Sequence, residues 1–361
     1  MKYKISSIQY RIRFLNLGML SAHISIRGAI TSLLLGMAVT SLPALALDME
    51  GALTLGGKAI PGAKVTLWRT AGTASPETIK ETSTDAEGNF ELQNLKSSDD
   101  GNIYYITTEG GPHEGVALMS VLGTAPLSSV VINELTTVAS VFTSARFIDG
   151  VTISGNPLGV RIAAGNAPNL VDPVTGKWGS VLLDPFNSTQ NTTLARLNTL
   201  GSMIVAFGTT ADEGWRTEFL NAASTGTGEI PRNTLEALSS VARAPWTNPA
   251  QLFELFGKAY PQPEDGSRRE APYVPYLAYA PKDFAMILSF AGGGIFAPGK
   301  LQVDVEGNIW SGVNWMPGSQ SGVYHNIGGG TIKLSPNGTA LSPPITGFTG
   351  MGVDGIGWGT G

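Results

Sequence analysis

Catalytic and metal sites are most often built from histidine, cysteine and acidic side chains, and this chain has few of the first two. Its 361 residues include three histidines and no cysteine. A serine–histidine–acid triad needs a histidine that faces a serine and is held by a carboxylate, and a zinc site needs three or four nitrogen, sulfur or carboxylate ligands. His113 and His325 are far apart in sequence. The sequence therefore predicts no catalytic residue, no metal ligand and no cofactor, and His325 is the best of the weak catalytic candidates.

Other patterns that resemble chemical motifs are explained better as turns. The segment 318–322 places glutamine where a nucleophile elbow requires serine. Asp85 and Glu87 suggest a calcium loop, but an EF-hand ends in a bidentate glutamate twelve positions along, so a turn is favoured. The glycine triplets 292–294 and 328–330 are not followed by the Lys-Ser/Thr pair of a phosphate loop. No pair of acids stands out as a glycosidase pair.

A stretch rich in asparagine and aspartate, from Asn156 to Asn187, allows two interpretations. It also contains Asn166, Asn169, Asp172 and Asp184. The functional interpretation is a polar loop that contacts a ligand. The structural interpretation is a series of helix caps and turns, which is favoured because several of these residues lie beside prolines.

The first 46 residues have the order and composition of a secretory signal peptide. They contain five basic residues and no acid, and an apolar run occupies Ala29–Leu42. The segment Pro43–Ala46 then supplies small residues for cleavage before Leu47. The alternative is an uncleaved anchor helix, but the run is short for a bilayer span and a proline interrupts its end. We therefore expect a secreted or periplasmic protein whose true start is Met1 or Met19.

The charge balance narrows the classes of partner. Cleavage would remove five of the 23 basic residues and none of the 28 acidic ones, which leaves a net charge of −10. An acidic chain repels phosphate backbones, so no nucleic acid partner is expected. No second long apolar run follows, so no membrane attachment is expected after cleavage. The remaining partner classes are a protein, a glycan or a small molecule.

Residues 47–110 predict short strands separated by turns. Lys64–Arg69 alternates between apolar and polar residues, and a turn at 84–89 leads into another alternating run. Such patterns are typical of a small antiparallel β-sandwich. The segments G-K-A-I-P-G-A-K-V-T-L and T-D-A-E-G-N-F-E-L resemble the carboxypeptidase-regulatory-like domains of secreted bacterial proteins. That resemblance implies a spacer or adhesive module without catalysis.

Residues 111–260 predict a helical, bundle-like region. Apolar residues recur at helical spacing within Ile132–Ala145 and again within Leu194–Phe207. Cap signals predict three further helix starts at Asp212, Asn233 and Asn248. Residues 261–282 carry five prolines and three tyrosines. This composition predicts an extended linker that lies over a neighbouring surface.

Residues 283–361 predict short strands between glycine-rich turns. We expect an apolar strand at Phe284–Phe290, a hairpin at Leu301–Gly312 and a strand at Thr331–Leu334. The segments A-P-G-K-L-Q-V-D-V-E-G-N-I-W-S-G and G-G-T-I-K-L-S-P-N-G resemble repeats of secreted NHL and streptogramin-lyase-like β-propellers. The resemblance implies one to two blades of an incomplete propeller.

The expected fold is therefore multidomain α+β, with a β-sandwich, a helical bundle-like region and an incomplete β-propeller. We expect an exported, non-catalytic protein for binding or cell-surface interaction. The alternative is a streptogramin-lyase-like or lactonase-like propeller enzyme whose active site lies in blades missing from this chain. Few charged residues follow Leu301, so these strands have little charge to oppose pairing with another chain. The open edges predict a fragment of a longer propeller protein, or self-association through these edges.

Export should be accompanied by cleavage between Ala46 and Leu47, because the basic, apolar and small-residue segments occur in the order that signal peptidase requires. N-terminal sequencing of secreted or periplasmic material is expected to begin at Leu47. Exported protein that begins at Met1 or Met19 would contradict the prediction.

Overall fold

β-Strands make up the first part of the described chain. The computed structural model describes residues 46–96, 101–226, 229–295, 298–313 and 330–349. The strands β1 to β8 are Ala46–Leu55, Lys58–Ala59, Lys64–Thr70, Glu77–Ser83, Asn89–Lys96, Ile103–Glu109, Ala117–Gly123 and Ser129–Ile132. They alternate with turns because Gly, Asp and Asn recur between apolar runs.

These strands form two four-stranded sheets. One sheet has the order β2-β1-β5 with β8 also paired to β1, and the other has the order β4-β3-β6-β7. All pairs are antiparallel except β1 with β8, which is parallel. The chain is therefore a mixed α+β protein, and its parallel pair involves β8, which lies outside the residues 47–110 that were expected to form antiparallel strands.

Strands β7 and β8 fall within the part of the sequence that was expected to be helical. β6 and β7 are buried along nearly their whole length. Strands that are covered on both faces lose the apolar–polar alternation that identifies a half-exposed strand. The sequence pattern alone therefore does not distinguish β7 from a buried helix.

Helices occupy much of the described chain between residues 134 and 259. The helices α1 to α8 are Glu134–Ser144, Pro157–Leu170, Ser180–Leu183, Pro185–Ser188, Thr193–Thr209, Glu213–Ala223, Thr234–Arg243 and Pro249–Ala259. A short hairpin of β9 (Ile148–Asp149) and β10 (Thr152–Ile153) lies between α1 and α2. The two helices predicted from apolar spacing correspond to α1 and α5.

All three predicted helix starts are confirmed, and two of the three N-cap residues bond the helix with their side chains. The side chain of Asp212 accepts a hydrogen bond from Trp215 N, and the side chain of Asn233 accepts one from Glu236 N. Asn248 differs, because its backbone is left-handed with φ 52° and its side chain makes no cap bond to α8. Its amide instead donates to carbonyls at the end of α6.

The outer edge of β7 is covered by side-chain hydroxyl groups of α1 and α7. Three alternate N–H groups of β7 donate across to these helices. The bonds run from Ala117 N to Thr234 Oγ1 at 3.0 Å, from Met119 N to Thr137 Oγ1 at 3.0 Å, and from Val121 N to Ser140 Oγ at 2.9 Å. A buried edge strand is costly unless its N–H groups are paired, and here the helices supply the acceptors.

A single hydrophobic core contains side chains from both sheets, from the helices and from the chain up to Phe284. Tyr273 and Tyr276 of the predicted linker pack against this core, whereas Tyr279 is exposed. The predicted module boundaries at residues 110, 260 and 282 stay predictions. Within the described residues, we find no helix with the length and apolarity needed to cross a membrane.

The segment Phe284–Phe290 is not a strand, contrary to the sequence prediction. Its backbone is paired with side chains of the helices and not with a neighbouring strand. Thr193 and Asn187 each exchange hydrogen bonds with it, through Ile287 and Ser289 respectively. The hydrogen-bond partners of this apolar run are polar groups from a distant part of the chain.

The last described part forms a three-stranded antiparallel sheet. Its strands are β11 (Pro298–Val303), β12 (Ile309–Val313) and β13 (Thr331–Leu334), in the order β11-β12-β13. The predicted hairpin turn is confirmed, because Asp304 N donates to Asn308 O at 3.0 Å. Gly307 has φ +84°, a conformation that favours glycine in this turn.

Replacing Thr137 by valine would preserve the shape of the side chain but remove the acceptor for Met119 N–H. We expect the free energy of unfolding to fall by about 1–3 kcal/mol, because a buried N–H would be left unpaired. Thr143→Val on the same helix is the matched control, since the Thr143 hydroxyl donates to carbonyls of its own helix. Urea unfolding of both variants measures the effect, and equal losses would contradict it.

Candidate interaction surface

The polar residues that suggested sites have structural roles in the described chain. Asp85 Oδ1 accepts hydrogen bonds from Glu87 N at 3.0 Å and Asn89 N at 2.7 Å, so the predicted turn is confirmed. His113 lies in the loop between β6 and β7, where its carbonyl accepts from Val116 N. His325, the segment 318–322 and most of the second glycine triplet lie outside the described residues.

The asparagine-rich stretch contains the caps and turns that the sequence favoured. Asn156 accepts from Gly159 N at the start of α2, and Asp184 accepts from Phe186 N at the start of α4. Sequence analysis missed a second role for this stretch. Its amides also bond the chain that follows the helices, as the pairs Asn166–Pro336, Asn169–Asn337 and Asn187–Ser289 show.

A groove of about 490 Å³ lies between the ends of α5, α6 and α8. Its polar side chains already have partners within the protein. Trp215 and Tyr260 donate to backbone carbonyls, and Lys258 Nζ lies 2.9 Å from Glu218. A ligand site usually offers a few polar groups that converge on the ligand, and these three are directed elsewhere.

One acid with a perturbed pKa in the described chain is Glu134, the first residue of α1. Its side chain is fully buried and accepts hydrogen bonds from Gly56 N at 3.1 Å and from the hydroxyl of Tyr273. Burial raises the pKa of Glu134, and the hydrogen bonds from Tyr273 and Gly56 oppose that rise. Burial also raises the pKa of Tyr273, with the nearby Glu134 adding to the shift.

Perturbed acids are concentrated at active sites, but Glu134 has no surface that a substrate could contact. Its carboxyl connects the turn after β1, the start of α1 and the chain after Tyr260. We therefore interpret it as a structural connection between parts of the fold. No sequence motif marked Glu134, because its partners are 78 and 139 residues away.

The three-stranded sheet, in contrast, exposes apolar surface beside an open strand edge. Leu301 and Val303 of β11 are 62% and 64% exposed, and Val305 is 92% exposed. Among the described residues, β11 pairs with β12 on one side only. The small core of this sheet consists of Val313, Ile332 and Leu334 with partly buried neighbours. We call the outer edge of β11 with these three exposed side chains the β11 edge.

The hydrogen-bond pattern fixes which backbone groups of β11 are directed outward. Asp304 N donates to Asn308 O, and the register then pairs Gln302 with Trp310. Antiparallel strands alternate between hydrogen-bonded and non-hydrogen-bonded pairs. Gln302 therefore bonds toward β12, and the N–H and C=O groups of Leu301 and Val303 are directed away from the sheet. These groups can receive another strand.

The hairpin that carries the β11 edge is held by a polar network. Asp304 accepts hydrogen bonds from Trp310 Nε1 and Asn308 Nδ2, both at 2.9 Å. The bond from Trp310, followed by the one from Asn308, holds the pKa of Asp304 below its usual range. Lys333 Nζ lies 4.9 Å from the centre of the Trp310 ring. The end of β11 is therefore fixed in position by side chains of the turn, of β12 and of β13.

Neither a protein-family model nor a curated protein matches the chain. The geometry of the described residues is therefore the basis for the proposals that follow.

The stability contributed by Glu134 should depend on pH. Its raised pKa means that the folded protein binds the proton more tightly than the unfolded chain, so stability falls as pH rises from about 4.3, the ordinary glutamate value, through the folded pKa. Glu134→Gln cannot ionise and should lack this loss. In urea unfolding between pH 4 and 8, the free energy of unfolding of the variant should therefore rise relative to that of the parent protein as pH rises.

Tyr273→Phe is a second variant, and it should change the pH dependence of stability in the opposite direction. It removes the hydroxyl that donates to the Glu134 carboxylate, so the fall in stability with rising pH should become steeper. A stability difference that does not change with pH in either variant would show that Glu134 titrates normally in the folded protein.

Proposed function

We propose that this chain is an exported, non-catalytic binding protein that receives an extended polypeptide strand at the β11 edge. The observation that carries this proposal is the exposure of Leu301 and Val303 beside an unpaired strand edge. Strand addition uses main-chain hydrogen bonds for affinity and alternate side chains for specificity. The β11 edge offers both kinds of contact.

The remaining architecture supports this role. In this proposal, β1 to β6 belong to a carboxypeptidase-regulatory-like sandwich and α1 to α8 to a bundle-like middle region. A propeller blade has four strands, and the three described strands of the last sheet leave room for one more beside β11. An added strand would therefore complete the proposed blade.

Export is part of the same proposal. It is supported by the basic, apolar and small-residue segments that precede Leu47. In the groove between α5, α6 and α8, the polar groups of Trp215, Tyr260 and Lys258 are paired within the protein, which favours binding over catalysis at that groove. The propeller-enzyme alternative stays a prediction.

The proposal is tested with a generic strand-forming peptide. The probe is a fluorescein-labelled peptide of seven alternating valine and threonine residues with a lysine at each end, and fluorescence anisotropy of the full chain measures binding. We expect saturable binding, because the outward groups of Leu301 and Val303 can pair with the peptide. A peptide of the same charge with proline at its centre should bind more weakly, since proline lacks the N–H group.

A protein variant provides the matching control. Val303→Pro removes an outward N–H group from β11, and proline is tolerated on the solvent side of an edge strand. The variant should keep the thermal unfolding transition of the parent protein but lose peptide binding. Unchanged binding by Val303→Pro, or equal binding of the two peptides, would contradict strand addition at this edge.

A further inference from the structure

We infer that the strand received at the β11 edge is β11 of a second copy of this chain, in an antiparallel pair centred on Gln302. This inference rests on the proposed function and adds the identity of the partner. A symmetric dimer uses the same surface patch on both subunits, so that patch must be complementary to itself. The β11 edge meets this condition in its backbone and in its side chains.

The backbone condition concerns which groups are directed outward. In a pair centred on Gln302, Leu301 of one copy lies opposite Val303 of the other, and the reverse pair follows from symmetry. Both residues direct their N–H and C=O groups away from β12, as the bond from Asp304 N to Asn308 O requires. The two copies would therefore exchange hydrogen bonds at both pairs.

The side-chain condition concerns apolar contacts and charge. Leu301 opposite Val303 places two exposed apolar side chains together, twice in the dimer. In the same register, Lys300 of each copy comes next to Asp304 of the other, at the ends of the regular part of β11. Opposite charges at facing positions stabilise a strand pair, whereas like charges destabilise it. A pair shifted by two residues would lose the Leu301–Val303 match.

The extent of β11 limits the strength of this contact. A register shift between Pro298 and Leu301 interrupts β11 just before its regular part. Only Leu301, Gln302 and Val303 of each copy would then pair in regular register. So short a strand pair buries much less than the roughly 1,000 Å² of a stable interface. We therefore expect a dimer that forms reversibly and depends on protein concentration.

Single cysteine substitutions test the register directly, because the chain contains no cysteine of its own. Gln302 would face its own copy in a non-hydrogen-bonded pair, where Cα atoms are about 4.5 Å apart, within the range of a disulfide. Gln302→Cys should therefore give a disulfide-linked dimer on mild oxidation of the full chain. Val303→Cys should not, because two Val303 positions would be offset along the strands beyond disulfide reach.

A charge substitution tests the same register without a covalent link. Lys300→Glu would place like charges next to each other twice in the dimer, which should raise the dimer dissociation constant about tenfold in sedimentation velocity. Lys80→Glu is the matched control, since Lys80 is exposed on β4 at the edge of another sheet. Melting curves of all variants confirm that the fold is retained.

The outcomes separate the two proposals. Equal cross-linking of Gln302→Cys and Val303→Cys would overturn the register, and a full chain that stays monomeric at every concentration would overturn the second copy as partner. A monomeric chain would mean that Lys300 and the irregular start of β11 prevent pairing at this edge. If the valine–threonine peptide still binds to such a monomer, the proposed function stands with a different partner. If it does not bind either, both proposals fail.

Discussion

The fold depends on how strand edges are paired, and β7 shows the cost of leaving one unpaired inside the protein. Its outer N–H groups are buried, so each needs an acceptor. Helices cannot supply backbone acceptors from their sides, because those carbonyls are already used within the helix. The structure solves this with Thr137, Ser140 and Thr234, whose hydroxyls accept from alternate residues of β7. This pairing fixes α1 and α7 against the second sheet.

The position of α1 then determines the environment of Glu134. Because α1 is held against β7, its first turn is enclosed by the turn after β1 and by the chain around Tyr273. A carboxyl group in such a place is costly unless donors surround it. The start of a helix favours negative charge, and the donors Gly56 and Tyr273 add to that effect. The buried acid therefore connects three distant parts of the chain, at the expense of a raised pKa.

Local signals in the sequence predicted much of the secondary structure. The helices α1 and α5, the turn at Asp85 and the β11–β12 hairpin follow from spacing and from turn residues. The sequence did not reveal elements whose identity depends on distant partners. Strand β7 lacks alternation because helices cover it, and Phe284–Phe290 is extended without being a strand because Asn187 and Thr193 pair with it. No local pattern encodes such contacts, and Glu134 was missed for the same reason.

The outer edges of β7 and β11 differ in how their unpaired backbone groups are satisfied. At β7 the chain supplies hydroxyl acceptors, whereas at β11 the described residues leave the outward groups of Leu301 and Val303 to solvent or to a partner. The full chain carries a net charge of −5, so two copies repel each other at long range. Salt would weaken that repulsion but would also screen Lys300 from Asp304 at close range. The proposed pairing therefore relies mainly on backbone hydrogen bonds and apolar contact, and the charged pair serves to select the register.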